Sequence, residues 1–149
     1  MLEEITKEKT SADHLLYVSL KYTKTCDVIL NLIERWRSLI DLSFDAIIEQ
    51  AMEEEKILEL PNSPKQKIEY IRTYFKKDKE IQGILPLYIF FRRIPALQKS
   101  REGEFRKNVN LKIIDGGKET NINLDMLKEY SEQLENFISA IRHNLNVKK

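Results

Sequence analysis

The chain has 149 residues, of which 42% are hydrophobic and 33% charged, and its formal net charge is +1. That is the length of one ordinary domain with room for a real core, and the composition is globular. A single cysteine and two histidines exclude an internal disulfide and leave no convincing zinc site, while four glycines and four prolines disfavour an all-β architecture built on tight turns.

Met1 to Lys9 is charged and lacks the apolar core of a signal peptide. With so little cysteine, a reducing cytoplasm is the expected home. Ser11 to Tyr22 reads as the first helix, with Ser11 as a plausible N-cap and Leu15, Val18 and Tyr22 on one stripe. The Thr23 to Thr25 patch suits a short connection, and Thr25 can cap the next helix. That second helix runs from about Cys26 to Glu55, its apolar positions recurring at steps of three and four. It is apolar on several sides, so it is expected to be central or buried against a second chain, with its acidic end projecting or meeting a partner.

Leu60-Pro61-Asn62-Ser63-Pro64 is a break. Ser63 caps a third helix with Pro64 at its first position, ending near Asp78. Glu80 to Lys99 reads as a fourth helix, divided or kinked at Pro86 and Pro95. The longest apolar run, Ile84 to Phe91, is far short of the roughly twenty residues a bilayer-spanning helix needs, so no membrane contact is expected. From about 107 to 122 the period changes to two: Val109, Leu111 and Ile113 alternate, Asp115-Gly116-Gly117 turns, and Thr120 and Ile122 alternate again. This is a β-hairpin. Asn123 caps a last helix, whose stripe of Leu127, Tyr130, Leu134, Phe137, Ile138 and Ile141 is the cleanest in the chain. The expectation is a mainly α single domain over residues 1–149, a bundle of about five helices with one inserted hairpin.

Charge is distributed unevenly. Between Arg92 and Lys112 seven cations face only Glu102 and Glu104, whereas residues 41–60 carry seven carboxylates against Lys56 alone. Such a separation concerns partners rather than fold. Arg92, Arg93, Arg101, Arg106 and Lys107 are candidate nucleic-acid-binding residues. Phe90, Phe91 and Phe105 adjoin them, and single-stranded RNA offers phosphates to cations and bases to rings. The competing account is a core of rings with cations that pair with the acidic helix end.

Chemistry is harder to find. His14 could act as a base, but Asp13 points about 100° away on a helix; a histidine packed at a helix start is the plainer account. His143 sits where an imidazolium favours the helix dipole. Cys26 could be a thiolate at a helix N-terminus, though no base accompanies it. Glu53-Glu54-Glu55 fan around their helix. Gly116-Gly117 is a turn and no phosphate-binding loop. No catalytic residue, metal or cofactor is assigned.

Ala12-Asp13-His14-Leu15-Leu16-Tyr17-Val18, the long apolar helix over Asp27 to Ala51, the stretch from Ser100 to Ile122 and the closing helix from Leu127 to Ile141 together resemble a group of small archaeal proteins. The arrangement is also similar to the HEPN class of helical bundles, which often dimerise and include ribonucleases. The nuclease members carry an arginine followed four to six residues later by a histidine. Here no arginine precedes His14 or His143 at that spacing, and no histidine follows Arg106. The resemblance therefore implies a HEPN-like, non-catalytic homodimer acting as a protein-interaction or assembly module, with RNA binding or ribonuclease activity through the 92–112 stretch as the alternative.

Overall fold

The computed structural model describes residues 2–54 and 61–146. The end of the acidic stretch, including Glu55, Lys56 and Glu59, and Leu60 of the predicted break lie outside the described residues. Helix dominates, in the order α1 (Leu2–His14), a π-helical turn (Leu15–Ser19), α2 (Leu20–Tyr22), α3 (Cys26–Glu53), α4 (Pro64–Tyr74), α5 (Lys79–Gly83), α6 (Leu85–Arg93) and α7 (Leu124–Asn146). Between α6 and α7 lies an antiparallel sheet, β1 (Gln98–Glu102), β2 (Asn110–Asp115) and β3 (Lys118–Asn123), in that spatial order.

The first helix starts nine residues before the expected Ser11, which sits inside α1 rather than capping it. Only Ile5 and Ala12 of α1 are buried. The early turns are held instead by ion pairs to neighbours, Glu8 to Arg35 of α3 at 3.0 Å and Lys9 to Glu135 of α7 at 2.6 Å. α3 spans 28 residues, about 42 Å, with Thr25 Oγ1 accepting from the Val28 N–H as its N-cap. Most of its apolar positions from Ile29 to Ala51 are buried beneath α1, α6 and α7, and Leu30 and Leu42 are partly buried. Trp36 stacks on Phe91 at 6.1 Å, and Phe44 meets Tyr88 and Phe137 edge-on at 5.2 and 5.7 Å.

Ser63 caps α4 with Pro64 at its start, as the sequence predicts. The predicted fourth helix is divided at Pro86 and ends at Arg93; Ile94–Ala96 form a 3-10 turn at Pro95. Gln98 to Glu102 then pair with β2, so the hairpin expected over 107–122 is two strands of three. β1 has no apolar residue to announce it and is stabilised by its ladder to β2. Val109, Leu111, Ile113 and Ile122 turn inward onto the helices. Asn123 Oδ1 accepts from the Met126 N–H at 2.9 Å and caps α7.

The outward face of the sheet follows from its register. Glu102, Asn110 and Asn123 form one cross-strand row, and Ser100, Lys112 and Asn121 the next. This polar face is turned away from the core beside the start of α7.

Candidate functional site

The titratable groups singled out from sequence lie apart. His14 is exposed at the end of α1, beside a groove formed with Asn31, Glu34, Arg35, Arg37 and Ser38 of α3; none of the 92–112 cations lines it. Arg35 is taken by Glu8, and Arg37 bridges Glu34 and Asp41. His143 is exposed on the last turns of α7. Cys26 is fully buried and its Sγ donates to the Asn110 carbonyl oxygen. Burial, and then the Glu104 carboxylate, push the thiol up to about 11, so it is no activated thiolate.

The five candidate cations take two different situations. Arg92 and Arg93 end α6. Arg92 lies over the Tyr88 ring at 5.8 Å and 4.0 Å from Asp41, and Arg93 pairs with Asp115 at 2.7 Å. Arg101 pairs with Asp27 at 2.7 Å, with Glu104 at 3.9 Å. Phe91 is core and Phe90 half-buried against it, so neither ring is offered to a ligand. Arg106 and Lys107 are different: both are exposed in the loop between β1 and β2, and neither has a carboxylate partner among the described residues.

Around Lys107 the chain assembles groups that are far apart in sequence. A depression of about 870 Å³ on the outward face of the sheet is lined by Asn108, Asn110, Asn121 and Asn123 with Lys107, Lys112 and Lys128; Glu102 and Asp125 are its carboxylates. The Asn110 side-chain amide donates to Glu102 at 2.9 Å and to Asn121 at 2.8 Å, which fixes which way it points. Asn110, and then Lys112, hold the Glu102 carboxyl below the usual carboxylate range. A second, apolar depression of about 270 Å³ adjoins it, formed by Leu16, Tyr17 and Leu20 with Lys21, Lys24 and, shared with the first, Leu124 and Lys128. Tyr17 is 62% and Tyr22 78% exposed. The tract thus offers amides, the exposed Tyr17 ring and five lysines, of which Lys112 is paired with Glu102 at 3.4 Å and Glu119 at 3.8 Å; the Tyr22 ring lies outside both linings, under Lys21 at 5.8 Å.

No family model, curated protein or solved structure matches the chain. What the site can do must come from its own chemistry. Among the described residues no group of His, Cys, Asp and Glu could hold a metal ion, and no helix is long and apolar enough to cross a membrane.

Of this tract, the sequence pointed to Lys107 and Lys112, both in the 92–112 basic run; Arg106 and Phe105 adjoin Lys107 in sequence without lining either hollow. Lys21, Lys24 and Lys128 lie outside any basic run, and of the asparagines only Asn123 is singled out by the sequence, as a helix cap. The one available signal was the alternation in β2 and β3, which assigns Asn110, Lys112, Asn121 and Asn123 to a common outward face once the hairpin register is known.

Proposed function

We propose that the chain is a non-catalytic, single-stranded RNA-binding protein, and that the strand lies along the two adjoining depressions. One observation carries this reading: an amide-lined and an apolar hollow share Leu124 and Lys128, and Lys21, Lys24, Lys107 and Lys128 around them have no carboxylate partner among the described residues, whereas Lys112 is paired with Glu102 and Glu119. Each part answers one part of an unpaired strand. Lysines meet phosphates, exposed rings and apolar floor meet base faces, and asparagine side chains, which both donate and accept, meet base edges. A duplex hides its base edges and faces, so it could use only the lysines. Arg92, Arg93 and Arg101, already engaged by carboxylates, contribute little.

The HEPN-like arrangement and the homodimer implied by the resemblance belong to the same proposal, and light scattering at micromolar concentration reads the second. The test of the function is fluorescence anisotropy with a labelled single-stranded RNA of about ten nucleotides, titrated at several salt concentrations. Expected is saturable binding that weakens with salt, with a log–log slope of about −2 to −3.5 for three to five phosphate contacts, and weaker binding of a duplex of equal length. No binding at low salt, or tighter binding of a poly-glutamate peptide than of RNA, contradicts the proposal.

A further inference from the structure

Phe105 is, among the described residues, the one non-glycine residue with a positive φ, +66°, and its ring is 76% exposed. Both facts run against stability. The left-handed region is costly for a bulky side chain, and a ring in water gains no burial. Glycine at this position would remove the strain and sacrifice almost no packing.

The surrounding loop is nonetheless built to hold it. The Phe105 N–H donates to the Lys24 carbonyl oxygen at 2.6 Å, and the Cys26 N–H donates to the neighbouring Glu104 carboxylate at 3.2 Å. Gly103, with φ +63°, admits the Asn108 carbonyl so closely that an added Cβ would lie 2.6 Å from its oxygen. Phe105 lines neither hollow, but its backbone is bonded to Lys24, which lines the apolar one, and it lies two residues before Lys107, which lines the amide one.

We infer that Phe105 is a preorganised stacking residue for an unpaired nucleobase, so that the ligand is recognised by its bases and not by its phosphates alone. This rests on the RNA-binding reading above. The hydrogen-bonded loop backbone holds the Phe105 Cα–Cβ bond towards solvent before the ligand arrives, which lessens the ordering cost of binding. Stacking on a single ring is tolerant of sequence, with purines favoured by their larger faces.

The experiment is a double comparison: wild type and Phe105→Ala, each titrated with a single-stranded oligoribonucleotide and with an oligomer of the same length bearing abasic positions. Expected is a roughly ten- to hundredfold loss for F105A on the intact strand. The abasic strand should weaken wild-type binding in a similar way while F105A costs nothing further on it, because both changes remove one contact. F105W should bind like wild type. F105G should bind like F105A but with a melting temperature about 2–4 °C above wild type, reporting the released strain. If F105A binds the intact strand as tightly as wild type, the inference fails while the RNA-binding reading stands. If wild type binds neither strand, the reading itself fails. If wild type binds both strands equally, recognition is by phosphate alone and the stacking role is overturned.

Discussion

The backbone N–H of Cys26 donates to both carboxylate oxygens of Glu104, at 3.2 and 3.4 Å, across 78 residues of sequence. The contact places a negative side chain at the start of a 28-residue helix, where unsatisfied N–H groups and the helix dipole favour it. It also pins the β1–β2 loop, with its ring and two unpaired cations, to the helical layer. Glu104→Ala should lower stability by about 1 kcal/mol. Hydrogen exchange should speed up across residues 103–109 and at the first turn of α3 while α7 stays protected. Uniform exchange would show that the loop is held by something else.

Gly103 tests the same loop from the backbone side. Its positive φ and the 2.6 Å approach of Asn108 leave no place for a Cβ. Gly103→Ala should cost about 1–3 kcal/mol in a denaturant melt, whereas Gly83→Ala, where an added Cβ meets nothing, should be neutral or slightly stabilising.

Cys26 gives the fold a defined alkaline weakness. Its folded pKa is raised from about 9 to about 11, so between those values the unfolded thiol loses its proton while the folded one keeps it. Stability contributed by the neutral thiol is therefore full below pH 9 and is lost as pH rises towards 11, by about 1–3 kcal/mol at most. Buried Tyr70, pushed up to about 12, adds a loss of the same sign at higher pH. Cys26→Ala should lessen the decline between pH 8.5 and 10.5 relative to wild type, though its stability at pH 8 is lower. A decline of equal depth in both proteins would assign the alkaline loss to the tyrosines. Thiol-reactive dyes at pH 8 should label Cys26 only as fast as the protein unfolds.

Asp41 collects a buried phenol and two guanidinium groups. Tyr88 donates its hydroxyl to one carboxylate oxygen, Arg37 reaches the other, and Arg92 lies at 4.0 Å. Burial, and then Asp41, push the Tyr88 phenol upward. Asp41→Ala strands these partners and should destabilise by about 2–4 kcal/mol, against about 1 kcal/mol for Tyr88→Phe. A double-mutant cycle should return a coupling energy above about 0.5 kcal/mol. The cluster also accounts for Arg92: its charge is committed to α3, so Arg92→Ala should leave RNA affinity within about twofold, while Lys107→Ala with Lys128→Ala should lower it about tenfold and flatten the salt slope by about 1–1.5.

Much of the helical layer was legible because its stripes are apolar and its ends are marked. Thr25, Ser63 and Asn123 all cap the helices they precede, and α7 matches its predicted stripe. α1 was shortened to its apolar half because ion pairs to Arg35 and Glu135, invisible without the fold, hold the rest. Gln98 and Lys99 of β1 fall in the predicted fourth helix and Ser100 to Glu102 in no predicted element, because Gln-Lys-Ser-Arg-Glu has no alternation; its strand character comes from hydrogen bonds to β2. The candidate site was less accessible. A run of cations along the chain looked like a patch, but folding sends Arg92, Arg93 and Arg101 to separate carboxylates on α3 and the β2–β3 turn, or within the loop itself. Lys128, unremarkable in sequence, lines both hollows because α7 starts where β3 ends, and Lys21 and Lys24 join it at the apolar hollow from the end of α2 and the connection after it.

RNA binding along the two hollows is read most plainly by ultraviolet cross-linking of the full-length protein to a uridine-rich single strand, with the attachment sites mapped by mass spectrometry. Cross-links are expected at Tyr17 and Phe105 and on peptides carrying Lys107 and Lys128. Cross-links confined to α4, or to the groove beside His14, would place the strand elsewhere and contradict the proposed site.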